Sequence, residues 1–329
     1  VAIRACLSPK YDLQHSPSLP ISIPAYTFVA DAEAVVANGC RIRFEDIDKN
    51  DYCMDPTLLN PEIAIPVHTL GNVCPPDRFP KKAKYIIEDC AQNVGGLYKN
   101  KKVGNFGDIA MFSGQGTKNL GAGEMGWCCT DNRELYERMC AIRNHSDYYC
   151  FTHPKKFKYL KNVLGYNLRT TELSACVARC QLKKLPQFLK SFKSNAKLIF
   201  DLLPDGITEP YYDPDVTPAW FILGCMYHGR RRDKFLERLK HERRKAKLTR
   251  STKEADIPGT NESPGRIISQ GYGYLLHELP FYRKFKINTP SANFVRNNVI
   301  WFDIHRWSET SYIEKNMEIV NKVYKEIEG

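Results

Sequence analysis

The 329-residue sequence lacks the marks of several protein classes. Its twelve cysteines include no C-x-x-C pair, so the spacing typical of zinc sites is missing, and reduced thiols in a cytoplasmic location are predicted. No stretch approaches the roughly 20 apolar residues of a membrane span. The first residues, from Val1 onward, contain no basic segment followed by a long apolar run, as a secretory signal does. The remaining class is an ordinary globular protein.

A glycine-rich stretch, "GAGEMG" at residues 121–126, matches the G-x-G-x-x-G pattern of dinucleotide-binding loops. That pattern binds a pyrophosphate only where it directly follows a strand and begins a helix. Here the strand-like "IAMFS" ends eight residues earlier, and "GWCCT", which follows, is typical of another strand, so no dinucleotide site is predicted. A P-loop is excluded too, because it needs Gly-Lys-Ser/Thr where this chain has Thr117-Lys118-Asn119.

Positive charge is concentrated in residues 230–250, where eleven Lys or Arg stand against three Asp or Glu in a chain of net charge +11. Such a run could bind an anion, either a nucleic acid or the phosphates of a nucleotide. However, acids are interleaved with the bases, and stacking aromatic residues are lacking. We therefore predict a solvated helix with Phe235, Leu236 and Leu239 turned inward, and no nucleic-acid partner.

Short apolar segments alternate with helical patterns over residues 1–190. This alternation predicts an α/β fold, with a large domain built on a mostly parallel sheet and covered by helices on both faces. Residues 191–329 change to a pattern of a few strands and a closing amphipathic helix, which predicts a smaller α+β domain. Asp131 and Ser308 are the predicted N-caps of two helices.

Lys118 and Asp89 each follow a predicted strand, so both are expected at the edge of the sheet where ligands bind. A positioned amine can form a Schiff base with a cofactor aldehyde, and pyridoxal 5′-phosphate also needs a carboxylate at its ring nitrogen. Asp89 could supply that carboxylate, Ser113 could bind the phosphate, and Phe28 could stack on the ring. Taken singly, each residue could equally be structural.

Five segments together resemble the DegT/StrS family of sugar aminotransferases. These segments are "IPAYTFVADAEAVVANGCRIRFEDID", "AIPVHTLGN", "IIEDCAQNVGGLYKNKKVGNFGDIAMFS", "TKNLGAGEMG" and "GYNLRTTELSACVARCQL". The family consists of fold-type I, aspartate aminotransferase-like enzymes that depend on pyridoxal phosphate and aminate keto sugars carried on nucleotides. The resemblance is nearly continuous over residues 20–190 and weaker beyond.

The resemblance implies a role for each matching residue. Lys118 would hold the cofactor aldehyde and then carry the proton between the substrate Cα and the cofactor. Asp89 would hold the ring nitrogen, with Gln92 beside the ring. Ser113 would bind the phosphate, and Phe28 would stack. Asn167 would reach the cofactor phosphate of the neighbouring subunit, with Arg169 ordering its loop, which implies a homodimer. The implied donor is an amino acid, glutamate in the family, and the acceptor is a nucleotide-linked keto sugar.

Two departures from the family pattern leave an alternative open. The family's phosphate-binding Gly-Thr or Ser-Thr turn would precede Val1, and Gln115-Gly116-Thr117 stands where the family often has His-Pro-Thr. The alternative is therefore an inactive or weakened relative that binds a sugar nucleotide or a protein partner. The retained Lys118 argues against the family's dehydratases, in which histidine replaces that lysine.

Overall fold

The structure, a computed structural model, describes residues 1–7, 19–55, 61–146, 164–248, 268–304 and 309–329. None of the helices in these ranges combines the length and hydrophobicity that crossing a lipid bilayer requires. The α-helices are α1 (Ala2–Cys6), α2 (Ala30–Ala37), α3 (Arg133–Arg143), α4 (Glu172–Asp201), α5 (Arg232–Lys245), α6 (Pro290–Asn298) and α7 (Thr310–Glu328). The strands are β1 (Pro20–Pro24), β2 (Arg41–Glu45), β3 (Ile63–Ala64), β4 (Tyr85–Asp89), β5 (Leu97–Tyr98), β6 (Lys101–Lys102), β7 (Ile109–Ser113), β8 (Gly126–Cys129), β9 (Ile207–Thr208), β10 (Val216–Thr217), β11 (Leu223–Tyr227), β12 (Ile268–Ser269) and β13 (Val299–Phe302).

A six-stranded sheet in the order β2-β1-β3-β4-β7-β8 forms the first layer. All its pairs are parallel except β7 with β8, which are antiparallel. The inner strands are short and apolar, as expected where helices cover both faces of a sheet. This arrangement confirms the predicted mostly parallel α/β sheet.

Helix α3 shows where the capping prediction was wrong. The helix begins at Arg133, and the residue before it, Asn132, accepts hydrogen bonds from the backbone amides of Glu134 (2.9 Å) and Leu135 (3.2 Å). Asp131 lies one residue too early to reach those amides. The predicted apolar face of the helix is confirmed, because its members are buried: Leu135, Met139 and Ile142.

A second core lies behind a four-stranded sheet of order β12-β13-β11-β9. Helix α7 packs on this core through a stripe of apolar side chains, as its spacing predicted: Ile313, Met317, Val320 and Ile327 are buried, and Tyr324 is half-buried. The predicted cap Ser308 lies outside the described residues.

Helix α5 carries the described part of the basic segment. Phe235 and Leu239 are fully buried and Leu236 is half-buried, so the predicted inward face is confirmed. On the outer side, Arg238 pairs with Glu242 at 3.1 Å and with Glu326 at 3.2 Å. Acidic side chains close to α5 therefore balance part of its positive charge. We interpret this side of the helix as a solvated surface.

Helix α4 is 30 residues long and passes through residue 190, the predicted domain boundary. Leu185 and Leu189 pack with the first layer, whereas Ala196 and Ile199 belong to the second core. The amino-terminal half of the helix exposes apolar side chains, and Leu173 is the most exposed of them at 81%.

The chain segment before β11 is joined by hydrogen bonds to the loop after β3. The amide of Ala219 donates to the carbonyl of Gly71 (2.8 Å), and the amide of Ile222 donates to the carbonyl of Leu70 (3.1 Å). Asn119 Nδ2 donates to the carbonyl of Ala219 (2.7 Å). These bonds bring Phe221 to the loop that carries Lys118.

Substituting alanine for Gly71 should lower the free energy of unfolding by about 2–4 kcal/mol, measured by urea denaturation. Gly71 has a φ of +87°, and a Cβ there would lie 2.4 Å from the backbone nitrogen of Phe221. Gly116→Ala is the control: its Cβ would meet nothing within 4 Å, so stability should change by less than about 1 kcal/mol. Equal stability of the two variants would contradict the close packing of Gly71 against the backbone of Phe221.

Candidate active site

Neighbouring parallel strands end at one edge of the large sheet. Strand β4 ends at Asp89 and β7 ends at Ser113, and the two strands pair directly. Strand β1 runs parallel to them and leads into the segment Tyr26–Phe28. The charge of Lys118, in the loop after β7, acts on Asp89. The structure therefore brings Lys118 and Asp89 together at this edge.

Asp89 is a buried carboxyl, 5% exposed, held in a fixed orientation. Its Oδ1 accepts a hydrogen bond from the amide of Ala91 at 2.7 Å. Burial raises the pKa of Asp89, and the Ala91 amide, the side chain of Asp31 and the charge of Lys118 offset this only in part. The contact of a second carboxyl, that of Asp31, with Asp89 was not predicted.

Lys118 lies in a turn closed by its own amide, which donates to the carbonyl of Gln115 at 2.9 Å. Gln115 Oε1 also accepts from the amide (2.9 Å) and the hydroxyl (2.6 Å) of Thr117. The Lys118 ammonium lies 4.7 Å from the ring centre of Phe221. An aromatic face attracts a cation and excludes water from one side of it. Phe221, which belongs to the second half of the chain, thus covers one side of the Lys118 amine.

Gln92 is buried and held at both ends of its amide group. Its Oε1 accepts from the amide of Leu70 (2.7 Å), and its Nε2 donates to the hydroxyl of Tyr272 (2.7 Å). The two bonds fix the orientation of the Gln92 side chain, three residues after Asp89 in the sequence. Gln92 thus links the sheet edge to Tyr272, which lies just after β12.

Ser113 is the last residue of β7, and its Oγ accepts from the amide of Gln115 at 3.2 Å. A hydroxyl that accepts one bond keeps its own proton for donation. The loop beyond it is open at Gly116, where an added Cβ would meet nothing within 4 Å. A hydroxyl donor beside an open glycine loop suits an anionic group such as a phosphate.

Phe28 is 51% exposed although Tyr26 and Thr27 before it are buried. Its ring centre lies 6.4 Å from that of Tyr272, with the planes tilted by 38°. One edge of the phenyl ring is thus supported while much of its surface stays accessible. The ring is available for stacking at the edge of the sheet.

Asn167 lies apart from these residues, in an exposed segment before α4. The segment forms a bridge between Asn167 and Asn144, and the Arg169 guanidinium donates to the side chain of Asn144. Arg169 thus joins this segment to Asn144 at the end of α3, and its role in ordering the segment stays a prediction. Within one chain the structure does not bring Asn167 to Asp89 or Lys118, so its predicted role depends on a second copy.

His68, Glu88 and Cys90 form a buried group whose potential ligand atoms lie within 4.8 Å of one another, a spacing that could hold a metal ion. The ring nitrogens of His68 and the carboxylate of Glu88 already have partners. His68 Nδ1 accepts from the amide of Cys74 (3.1 Å), which leaves Nε2 to donate to Glu88 (3.1 Å). Glu88 also accepts three backbone amides, from Gly104, Phe106 and Gly107. We interpret the group as a support for the strand that carries Asp89.

Glu88→Gln should lower the free energy of unfolding at pH 7 by about 2–4 kcal/mol, because a neutral amide replaces a carboxylate that accepts four hydrogen bonds. Burial alone raises the pKa of Glu88, but the bonds from His68 and the backbone amides outweigh it and leave the pKa below its usual value. The carboxylate therefore contributes stability above about pH 4.3, and this is lost as the pH falls through the folded pKa. Thermal unfolding across pH 3–8 should show the variant approaching the wild type at the acid end.

Glu45→Gln is the control, because the effect of pH on its stability should be opposite to that for Glu88→Gln. Burial raises the pKa of Glu45 to about 7. The stabilising contribution of Glu45 is fully present below about pH 4.3 and is lost as the pH rises to 7. The stability of this variant relative to the wild type should therefore increase as the pH rises. Parallel pH profiles for the two variants would contradict the assigned environments.

The arrangement fits the groups of pyridoxal phosphate. Lys118 offers an amine for the aldehyde, and Asp89 offers a buried carboxyl for the ring nitrogen. Phe28 offers an accessible ring face, and Ser113 with its open loop offers a donor for the phosphate. Four of the groups that this cofactor requires are thus present at one sheet edge.

Sequence reasoning missed three residues at this edge. Asp31 lies in α2, Phe221 precedes β11, and Tyr272 precedes β13. Phe221 and Tyr272 come from distant parts of the chain, so no local pattern points to them. Asp31 could have been noticed as an acid among the apolar residues of a short helix.

The model of the DegT/DnrJ/EryC1/StrS aminotransferase family matches residues 15–250 of this chain. Among curated proteins, the chain is similar to a UDP-N-acetyl-3-dehydro-α-D-glucosamine 3-aminotransferase of Acidithiobacillus ferrooxidans. The two are 35% identical over 191 residues, which cover 54% of this chain and 48% of that protein. It is also similar to a GDP-4-keto-6-deoxy-D-mannose 3-dehydratase of Escherichia coli O55:H7, with 30% identity covering 59% of this chain and 54% of that protein. The matches therefore span about half the length of these relatives.

Among solved structures, the X-ray structure of the aminotransferase from Psychrobacter cryohalolentis superposes with a TM-score of 0.81. The match covers 100% of this chain and 86% of that one at 22% sequence identity. At this identity the likeness establishes a common fold. The predicted aspartate aminotransferase-like α/β fold is confirmed.

Proposed function

Because the chain belongs to the DegT/DnrJ/EryC1/StrS aminotransferase family, we propose that it is a pyridoxal phosphate-dependent aminotransferase. It moves an amino group from an amino acid, glutamate, to a keto sugar carried on a nucleotide. The cofactor of the family's aminotransferases is pyridoxal phosphate. The printed names of the relatives, an aminotransferase and a dehydratase of nucleotide sugars, support the substrate class.

The observation that carries the proposal is that Lys118 and the buried Asp89 lie at the same carboxyl edge of the sheet, where the charge of Lys118 acts on Asp89. A dehydratase reading is less well supported, because an amine that can take up and release a proton stands where the family's dehydratases have histidine. The amine supports a complete transfer of the amino group.

When bound, the cofactor supplies an electron sink that allows a proton to leave the Cα of the amino acid. Lys118 would move that proton, since its amine is covered by Phe221 and its charge acts on Asp89. Asp89 keeps a proton at the ring nitrogen through its negative charge. Gln92, fixed by Leu70 and Tyr272, would lie beside the ring.

A homodimer completes the proposed site. The exposed apolar side chains of α4 and of the segment before it include Leu164, Leu168, Leu173, Val177 and Leu182. This face adjoins the loop after β7, because Gln181 Nε2 donates to the carbonyl of Gly121 (3.3 Å). A second copy seated on it would bring its Asn167 segment towards the Lys118 loop. Sedimentation equilibrium should show a dimer, and Leu173→Asp should shift it to a monomer with weaker cofactor binding.

The proposed function is tested through its first half-reaction. The purified chain, loaded with pyridoxal phosphate, is mixed with glutamate in the absence of a sugar. The proposal expects the visible absorbance of the loaded enzyme to fall and one equivalent of 2-oxoglutarate to appear. A panel of other amino acids and of UDP-, GDP- and dTDP-linked keto sugars then identifies donor and acceptor. A folded, dimeric chain that binds no cofactor would overturn the proposal in favour of a non-catalytic relative.

A further inference from the structure

Asp31 places a second buried carboxyl against Asp89. It lies in the first turn of α2, is 3% exposed, and its Oδ2 accepts a hydrogen bond from the Thr27 hydroxyl at 3.2 Å. The side chains of Asp31 and Asp89 are hydrogen-bonded to each other. A hydrogen bond between two carboxyl groups requires a proton on one of them. The pair therefore carries one negative charge, since two adjacent buried carboxylates repel each other strongly.

The surroundings decide which of the two acids keeps the proton. Asp89 accepts the amide of Ala91, and the charge of Lys118 acts on it; both favour its ionised form. Asp31 faces only one stabilising group among the described residues, the hydroxyl of Thr27. Burial and the neighbouring Asp89 raise the pKa of Asp31 well above its usual value. Asp31 is accordingly the acid of the pair, and Asp89 is the carboxylate.

We propose that Asp31 is a positioning residue: a neutral carboxylic acid that donates a hydrogen bond to Asp89 and sets both its orientation and its basicity. This proposal rests on the proposed function, in which Asp89 faces the ring nitrogen of the cofactor. A carboxylate that accepts a bond from an acid binds a proton less strongly than one without such a donor. Asp89 would then hold the ring proton in place without taking it up.

The first test needs no cofactor. Asp31→Asn keeps the volume and an N–H donor but cannot lose a proton. Between about pH 4 and the folded pKa, the folded wild type holds the Asp31 proton that the unfolded chain has lost. The contribution of Asp31 to stability is thus fully present below about pH 4 and falls as the pH rises. Melting temperatures across pH 4–8 should show the variant gaining about 3 °C or more on the wild type at the upper end. A difference that is constant with pH would indicate packing alone and overturn the proposal.

A second measurement does not depend on the variant folding. Difference infrared spectra of the wild type with ¹³C-labelled aspartate should contain a protonated carboxyl band at pH 7. Burial also raises the pKa of Asp51, which lies outside the pair, so Asp51→Asn is measured alongside. A band that persists in Asp51→Asn and disappears in Asp31→Asn supports the assignment. A band that is absent at pH 7 in the wild type contradicts it.

The loaded protein supplies the third test and separates this proposal from the proposed function. The pH midpoint of the visible cofactor band should shift in Asp31→Ala, which has no donor, and stay closer to the wild type in Asp31→Asn. If the chain binds no cofactor, the proposed function fails while the first two measurements still decide the protonation of Asp31. If cofactor binds and the midpoint is the same in all three proteins, the role of Asp31 towards Asp89 is refuted.

Discussion

In Lys118→Ala, the rate of amino transfer should fall by at least about 10⁴-fold. Borohydride should no longer attach pyridoxal phosphate to the chain. The amine has two functions in the proposed reaction, because it holds the cofactor covalently and then moves the substrate proton. Proton transfer alone is worth about 10²–10⁴-fold, and the covalent step adds to it. Peptide mass spectrometry after reduction locates the modified lysine in the wild type, and turnover with glutamate measures the loss.

Two variants serve as controls for that result. Lys118→Arg keeps a positive charge near Phe221 and Asp89, but its guanidinium stays protonated and cannot act as a nucleophile. It should be as inactive as the alanine variant. Lys240→Ala removes an exposed lysine of α5 and should change nothing. A reduced adduct that persists at full yield in Lys118→Ala would show that another amine holds the cofactor.

Asp89→Asn should lower kcat by about 10²–10³-fold and weaken cofactor binding. The amide keeps the shape of the side chain and can still accept the Ala91 amide, so the fold should survive. What it removes is the negative charge that keeps a proton on the ring nitrogen, and the electron sink is weak without that proton. Steady-state kinetics at saturating cofactor separate the loss in kcat from the loss in binding.

The neighbouring acid provides the matched comparison. Asp31→Asn makes the same chemical change on the other member of the pair, and its loss of kcat should be much smaller than that of Asp89→Asn. The asymmetry follows from the surroundings, since Ala91 and Lys118 act on Asp89. Equal losses in the two variants would contradict the assignment of Asp89 as the residue that faces the ring.

The large sheet could be predicted because its signals are local. Short apolar runs such as "IAMFS" are typical of strands buried on both faces, and parallel strands place their carboxyl ends at one edge. The positions of Asp89 and Ser113 at strand ends followed from this reasoning. The exact start of α3 did not, because two adjacent residues can both cap a helix and only the backbone decides between them.

The rest of the site could not be read from the sequence because distant segments supply it. The bonds that Ala219 and Ile222 donate to Gly71 and Leu70 hold Phe221 near Lys118, and Gln92 bonds to Tyr272, which is 180 residues away in the sequence. Asp31 lies in α2, which leads into β2, whereas Asp89 ends β4. These two strands are three positions apart in the sheet, so the contact joins segments that are not neighbours in it. Such contacts depend on the packed structure and leave no spacing pattern behind.

Helix α4 has a consequence for how the molecule melts. A helix of 30 residues is about 45 Å long, and its two halves are anchored in different cores. Unfolding one core would strip the support from half of the helix, so the two halves of the chain should lose structure in a single cooperative transition. A fragment ended at residue 190 would cut the helix between Leu189 and Ala196, and the chain is therefore better dissected by point substitution than by truncation.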